Sequence, residues 1–517
     1  MRNDLRRRLS LVAAVLLVLV PAGAPLAQTS GEKILRMGYT ADFTTLDPPR
    51  ITQMPDYPLA MNMYNGLVRY KPNGLEVEAD LAERYDVSKD GLTYTFWLRK
   101  GVKFHKGFGD FTARDVKFSF ERVADPRLRS PYAPLMKLIR EIEILNDYQV
   151  RLHLIEPYAD FLPAVLAFRP GYIVSQKAVD QFGGQFGTTA AIGTGPYMLD
   201  RFSPRQEIVF TTHPEYFGTF RAGARRAGSR SHIDRVIFKI IPEETVIALA
   251  MSKGELDYAP IRTAEAFKLI RNDPRLAYTA TPTLGRRSLW ANTQRPPLTD
   301  VRLRRALSHA INQKELVDTV EEGMGTIDGM WSEIPPGVFG HIDDALSFLY
   351  NPERARALLA EAGLAAGMRP LVLVFRAVDR SFAQAVRGYW TKAGIPVTLE
   401  ELGNAPYGAR RDSGDFDFLI TGPTRIAPDQ FLLPLQSDSV PNFYGRIDNL
   451  IRAQRREVDP EKRKAILRQI QLRISSELPI IPVYRPYYVT AFRKGVTGDV
   501  PNTHYWLWYW ELMDITQ

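Results

Sequence analysis

The 517-residue chain contains no cysteine. That excludes a disulfide framework, a thiolate metal site, a catalytic thiol and the thiol to which a lipoprotein anchor is attached. A chain of this length can bury enough apolar surface to fold without cross-links. Histidine is scarce too. The seven are His105, His153, His213, His232, His309, His341 and His504, and no two stand three or four residues apart. No helical metal pair can therefore form locally. His-Glu-x-x-His, Gly-x-Ser-x-Gly and a Walker A loop are all missing, so the metalloprotease, serine-hydrolase and nucleotide-binding readings have no motif behind them. Gly193-Thr194-Gly195 lacks the third glycine of a dinucleotide fingerprint, and Pro196 follows at once. That suits a tight turn better than a phosphate cradle. Carboxylates are scattered, and no acid–base pair stands out.

Long basic blocks are also missing. Arg2, Arg6, Arg7 and Arg8 with Asp4 account for +3 of the formal +9, leaving +6 on the rest of the chain. That balance marks no nucleic-acid surface. The densest cluster, Arg221, Arg225, Arg226 and Arg230, sits among Gly and Ser and reads as a solvated loop.

One apolar run stands out, Leu11 to Val20, after the N-terminal arginines and before Pro21 and the small residues 22–27. It is short for a membrane span and has the layout of a secretory signal peptide, with cleavage expected after Ala27. With no lipidation thiol, the mature chain is expected free in the periplasm.

Hydrophobic residues make up 45% and charged residues 24%, the balance of a soluble globular protein, and the length calls for two or more lobes. Strand and helix signals alternate, which predicts an α/β architecture. Strands are expected at Ile34–Tyr39, Leu92–Leu98, Val236–Ile241, Leu371–Phe375, Val397–Leu402, Phe416–Thr421 and Ile480–Tyr484. Helices are expected after Thr112, through Val246 and Leu249, after Asp300, from Pro352 to Gly363, over Ser381–Lys392 and from Pro460. Trp506, Trp508 and Trp510 alternate with Leu507 and Tyr509, which predicts one strand face carrying three indoles in a core. Crossings between lobes are expected near Thr283–Asn292 and Pro479–Pro486, where two passages would make a hinge.

An ordered series of short motifs runs through the chain: Thr45-Leu46-Asp47-Pro48, Tyr64-Asn65-Gly66-Leu67-Val68, and Asp90-Gly91-Leu92-Thr93-Tyr94-Thr95-Phe96. Leu98-Arg99-Lys100-Gly101-Val102-Lys103-Phe104-His105 and Thr112-Ala113-Arg114-Asp115-Val116 follow. Gly193 to Tyr197, Gly254 to Asp257, Asp300 to Leu307, Ala360 to Gly363, Gly394 to Val397 and Pro479 to Pro482 continue it. In order and spacing the series resembles the family-5 extracellular solute-binding proteins, the peptide and nickel carriers of ABC importers.

The resemblance implies a type II periplasmic-binding-protein fold with two lobes and a ligand cleft between them. Lobe one would comprise 32–60, 186–285 and 487–517, with an extra subdomain at 60–185; lobe two would span 286–486. It implies capture of a peptide-like or other small polar solute, delivery to an ABC permease at the inner membrane, a monomer, no cofactor and no nucleic acid. In the family's peptide carriers an aspartate just before a Pro-x-x-Phe-Leu stretch meets the peptide's amino terminus. That place falls here at Thr424 or Arg425, so the aspartate is missing, with Asp429 a partial substitute. Arg425 would favour a carboxylate or phosphate. An opine, a sugar derivative or a chelated metal therefore stands beside a peptide as the expected cargo. Arg376, Arg380, Trp290, Asn292, Tyr444 and Tyr484 complete the expected cleft lining. A periplasmic hydrolase or a chaperone using the same cleft remains the alternative.

Overall fold

The computed structural model describes residues 31–53, 55–72, 74–218, 233–364, 368–422, 425–439, 441–498 and 508–516. The expected signal peptide, the Arg221–Arg230 cluster, Thr424 and Trp506 lie outside the described residues.

From Lys33 on, the chain is organised by one twelve-stranded mixed sheet. Its strands are β1 Ile34–Tyr39, β2 Tyr197–Ser203, β3 Glu207–Thr212, β4 Arg235–Ile240, β5 Tyr258–Ile261 and β6 Leu276–Pro282. The others are β7 Arg287–Ala291, β8 Gly325–Thr326, β9 Leu371–Arg376, β10 Val397–Leu402, β11 Phe418–Thr421 and β12 Ile480–Arg493. Along the sheet the order is β10-β9-β11-β7-β12-β5-β1-β4-β3-β2. β12 belongs to both halves. Its first residues pair with β7, Ile480 opposite Trp290 and Tyr484 opposite Arg287. Its last residues pair with β5, Val489 opposite Ile261 and Phe492 opposite Tyr258. β6 and β8 also pair with it.

The sequence reads this strand as ending at Tyr484, but it runs on to Arg493. Pro486 is the reason for the short reading, since proline cannot donate to a ladder. Here its carbonyl accepts from Thr283 N (2.9 Å), which keeps the ladder going at that point.

Helix starts follow their caps. Helix α1 Ala113–Ala124 opens on a capping box between Thr112 and Asp115. Helix α2 Val301–Ala310 opens on Asp300, whose Oδ1 accepts from Arg302 N (2.8 Å). Helices α3 Arg380–Lys392, α4 Pro428–Leu432, α5 Asp448–Arg456 and α6 Pro460–Glu477 complete the set that matters for the site. Period-two alternation then places two cores on the two faces of the β7-β9-β11 half. Leu289, Leu373, Phe418 and Ile420 pack against Leu303, Leu307, Phe382 and Trp390 of α2 and α3. On the other face Trp290, Val374 and Leu419 pack under Phe431, Ile451, Leu467 and Ile470 of α4–α6. A separate four-stranded antiparallel sheet (residues 82–87, 93–98, 149–154 and 139–146) carries α1.

One local expectation is corrected. Trp510 opens a 3-10 turn, so the tryptophans share no strand. The segment bonds to a helix instead of a neighbouring strand: Trp510 N donates to Asn62 Oδ1 (3.2 Å). Both Trp508 and Trp510 are nonetheless buried against Phe238. At Gly193, a Cβ would lie 2.1 Å from Met63 O, so close backbone packing, and not a phosphate, requires the glycine.

Candidate functional site: a cleft at the strand ends

Pairing direction places the cleft. β7 is antiparallel to β12 and to β11, with Ser288 opposite Thr421. β11 is parallel to β9, and β9 to β10. The carboxyl ends of β9, β10 and β11 therefore share the edge marked by Tyr484 of β12. On the other side of Pro486, β5 is antiparallel to β12 and parallel to β1, which is parallel to β4. Their carboxyl ends, Ile261, Tyr39 and Ile240, point back toward the same crossover. In open α/β sheets ligands bind beyond strand carboxyl ends. Here two such edges converge at residues 484–487.

The edge on the β7 side is strongly cationic. Arg287 opens β7 and Arg376 closes β9, and both lean on one fully buried carboxylate, Asp379, at 2.6 and 3.7 Å. Tyr484 is buried beside them; burial raises its hydroxyl pKa, and Glu321 adds to the rise. Arg425 follows β11. It has no hydrogen bond or ion pair to a described residue. It presents an exposed surface, yet the surrounding protein desolvates its guanidinium and, with Arg411, lowers its pKa.

A narrow cavity opens behind this edge, lined by Ser288, Trp290, Arg286, Glu333, Arg425 and Arg485 among others. Trp290 is stacked on Phe443 at 4.9 Å between centroids. A much larger groove, about 1300 Å³, lies between the four-stranded sheet and α6. None of its lining residues belongs to the large sheet, and Ile426 to Pro428, directly after Arg425, form part of its wall.

Three expected lining residues leave the cleft. Asn292 follows the far end of β7; its Nδ2 donates to Gly414 O (2.9 Å) and its Oδ1 accepts from Gln294 N (3.1 Å). Tyr444 is buried in the α4–α6 core beside the same far end, where Thr293 N donates to Phe443 O. Asp429 is buried with both oxygens engaged. Its Oδ1 accepts from Gln454 Nε2 (2.9 Å) and Arg455 Nε (3.0 Å), and its Oδ2 from Tyr158 Oη (3.3 Å). Burial raises its pKa and Arg455 opposes the rise. It is a tie between α4 and the four-stranded-sheet side, and no partial substitute for a ligand anchor. Asp160 completes the tie, accepting from Asp429 N (3.0 Å) and pairing with Arg463 (2.8 Å). Arg380 stays at the surface, in a two-point pair with Glu401 (2.7 and 2.6 Å).

Asp379, Arg287, Ser288, Arg286 and Arg485 were not singled out by sequence reasoning. The one available signal was the basic pair Arg286-Arg287 directly before an apolar strand. Among the described residues no three metal-ligating side chains cluster, and no helix is long and apolar enough to cross a membrane.

The model of the bacterial extracellular solute-binding proteins, family 5 (middle), matches residues 76–443. The chain belongs to that family. It is the solute-binding component of an ABC importer, with the type II periplasmic-binding-protein fold. It is 30% identical over 477 residues to the dipeptide-binding protein of Escherichia coli (strain K12), covering 85% of this chain and 86% of that protein. The periplasmic binding protein DppA from Helicobacter pylori, solved in complex with the peptide STSA, superposes with a TM-score of 0.77 at 26% identity over 94% of this chain and 98% of that one. MoaA from A. tumefacien R10, solved with mannopinic acid, gives 0.75 at 26% identity, over 94% of this chain and all of that one (100%). These relatives are solute-binding proteins, and the hydrolase alternative finds no support among them.

Proposed function

We propose that this chain captures a small solute bearing an acid group in the strand-end cleft and releases it unaltered to an ABC permease. The observation that carries the reading is Arg425: an exposed guanidinium on the cleft edge that pairs with no described residue, where the resemblance puts an aspartate in the family's peptide carriers. A guanidinium with no counter-charge offers an anionic ligand a charge-assisted, two-point contact. Peptides and opines both carry carboxylates, and relatives solved with STSA and with mannopinic acid span that range.

The proposal includes the division of the chain. Residues 32–60, 186–285 and 487–517 form lobe one, 60–185 its extra subdomain and 286–486 lobe two. The segment to Ala27 is removed on export, and the mature chain acts as a periplasmic monomer without turnover. A solute contacting both edges favours the closed form by its differential affinity for closed over open.

The test is mass spectrometry of small molecules released from the pure protein by mild denaturation, followed by titration of the solute found. A saturable thermal shift is expected, about 2.7 kcal/mol at one hundred times Kd. Appearance of a reaction product, or a shape in solution scattering indifferent to every solute, would overturn the reading.

A further inference from the structure

The narrow cavity behind the cleft edge holds more positive charge than its own carboxylate neutralises. Arg286 is answered: its Nη2 pairs with Glu333, and its Nη1 donates to Met330 O (3.1 Å) and Ser332 O (2.6 Å). Burial raises the Glu333 pKa and Arg286 opposes the rise, as for a matched pair. Arg485 is different. It is 5% exposed, and it donates only to carbonyls, Thr283 O (3.2 and 3.0 Å) and Asp328 O (3.3 Å). No carboxylate lies within ion-pair distance of it among the described residues, and Asp328 offsets its charge only from farther away. Arg425 adds a second cation without an ion pair to a described residue.

The cavity also carries a hydroxyl without a partner. Ser288 is 2% exposed, and its Oγ makes no hydrogen bond. A buried hydroxyl left unpaired costs free energy, so an acceptor is missing at this point. Two guanidinium groups without an ion pair to a described residue and one unpaired hydroxyl line a cavity of about 20 Å³. That is room for about one water-sized group, such as a single carboxylate oxygen, and not for a whole solute. Trp290 and Phe431 are also among its walls.

The geometry points to a specificity subsite: the cavity lined by Ser288, Arg425 and Arg485 receives one carboxylate of the imported solute, discriminating against its amide. This rests on the solute-capture reading and adds where the acid group goes. A carboxylate accepts from Ser288 Oγ and meets the two free guanidinium groups. A neutral amide leaves them uncompensated and brings an NH2 against cations, a loss larger than one missing contact.

The test uses formate as the probe of the cavity itself, titrated at constant ionic strength and read as thermal stabilisation. Wild type is expected to show a saturable rise that Ser288→Ala and Arg425→Gln each weaken about tenfold or more in affinity, with unchanged circular dichroism. No saturable rise, or equal rises in all three proteins, overturns the subsite. A panel of small acids and their amides is titrated in parallel. Solutes that bind as acid and amide alike also overturn the subsite while leaving solute capture intact. Formate binding with no larger solute bound anywhere on the panel would retain the anion pocket and sink the capture reading.

Discussion

Asp160 and Arg463 meet at 2.8 Å, with side-chain exposures of only 2% and 7%. Each is held twice. Asp160 also accepts from Asp429 N, and Arg463 donates to Gln454 O (3.1 Å) and Gln454 Oε1 (3.0 Å). The tie fixes the start of α4, and with it the segment that bears Arg425.

Asp160→Asn removes the charge and strands Arg463 in the interior. We expect a loss of about 3–5 kcal/mol in urea unfolding, the usual consequence of breaking one side of a buried pair. Glu156→Gln is the control, since its pair with Arg456 (2.5 Å) is largely exposed. It should change stability by less than about 1 kcal/mol. Equal effects of the two substitutions would show that the buried tie has no special weight.

Arg425→Ala should weaken capture of the bound solute by about tenfold or more and leave the melting temperature of the free protein almost unchanged. Calorimetric titration beside a thermal melt separates the two effects. A large drop in stability would assign Arg425 to the framework.

His105 is fully buried and accepts from Gly193 N at Nδ1 (3.2 Å), while Nε2 meets Gly195 O (2.9 Å). Burial first, then His213, brings its pKa down to about 3. The unfolded chain, with His105 near 6.5, takes up this proton earlier than the folded one. The His105 contribution is therefore complete above about pH 6.5 and is lost as pH falls toward 3, at up to about 1.4 kcal/mol per pH unit. Urea unfolding of wild type and His105→Gln across that window should show a shallower slope for the variant. Parallel slopes would assign the acid sensitivity elsewhere.

Gly193→Ala places a methyl 2.1 Å from Met63 O, a backbone atom that cannot swing aside. A cost of about 1–3 kcal/mol is expected from the forced separation. A variant as stable as wild type would mean the segment relaxes freely.

Most of the framework could be read from local chemistry. Asp300, Thr112 and Asp459 announce helices because a short side-chain acceptor before an amphipathic run has one common use. β9 and β10 are evident from apolar and β-branched runs between turn residues. The long reach of β12 was hidden by Pro486, whose place in a sheet depends on which neighbour uses its carbonyl. A family pattern pointed at the neighbourhood of Arg425 and Arg376, which the fold places at the carboxyl ends of β11 and β9. Asp379 was not, because a carboxylate in Arg376-Ala377-Val378-Asp379-Arg380 looks like a surface turn until Arg287 arrives from another strand. Asn292, Tyr444 and Asp429 misled for the opposite reason. Their chemistry suits a ligand, but their partners come from remote parts of the chain, and one sequence does not show that a polar group is already satisfied.

β12 is a single piece of backbone that both halves of the sheet hold by hydrogen bonds. Any rotation of one half against the other must therefore be absorbed as torsion in a few bonds, at Arg485-Pro486 and in the parallel passage Thr283–Arg286. Those bonds lie beside the arginine-lined pocket and the charge of Arg485. A molecule seated there touches the axle directly, so recognition and shutting would act through the same few atoms.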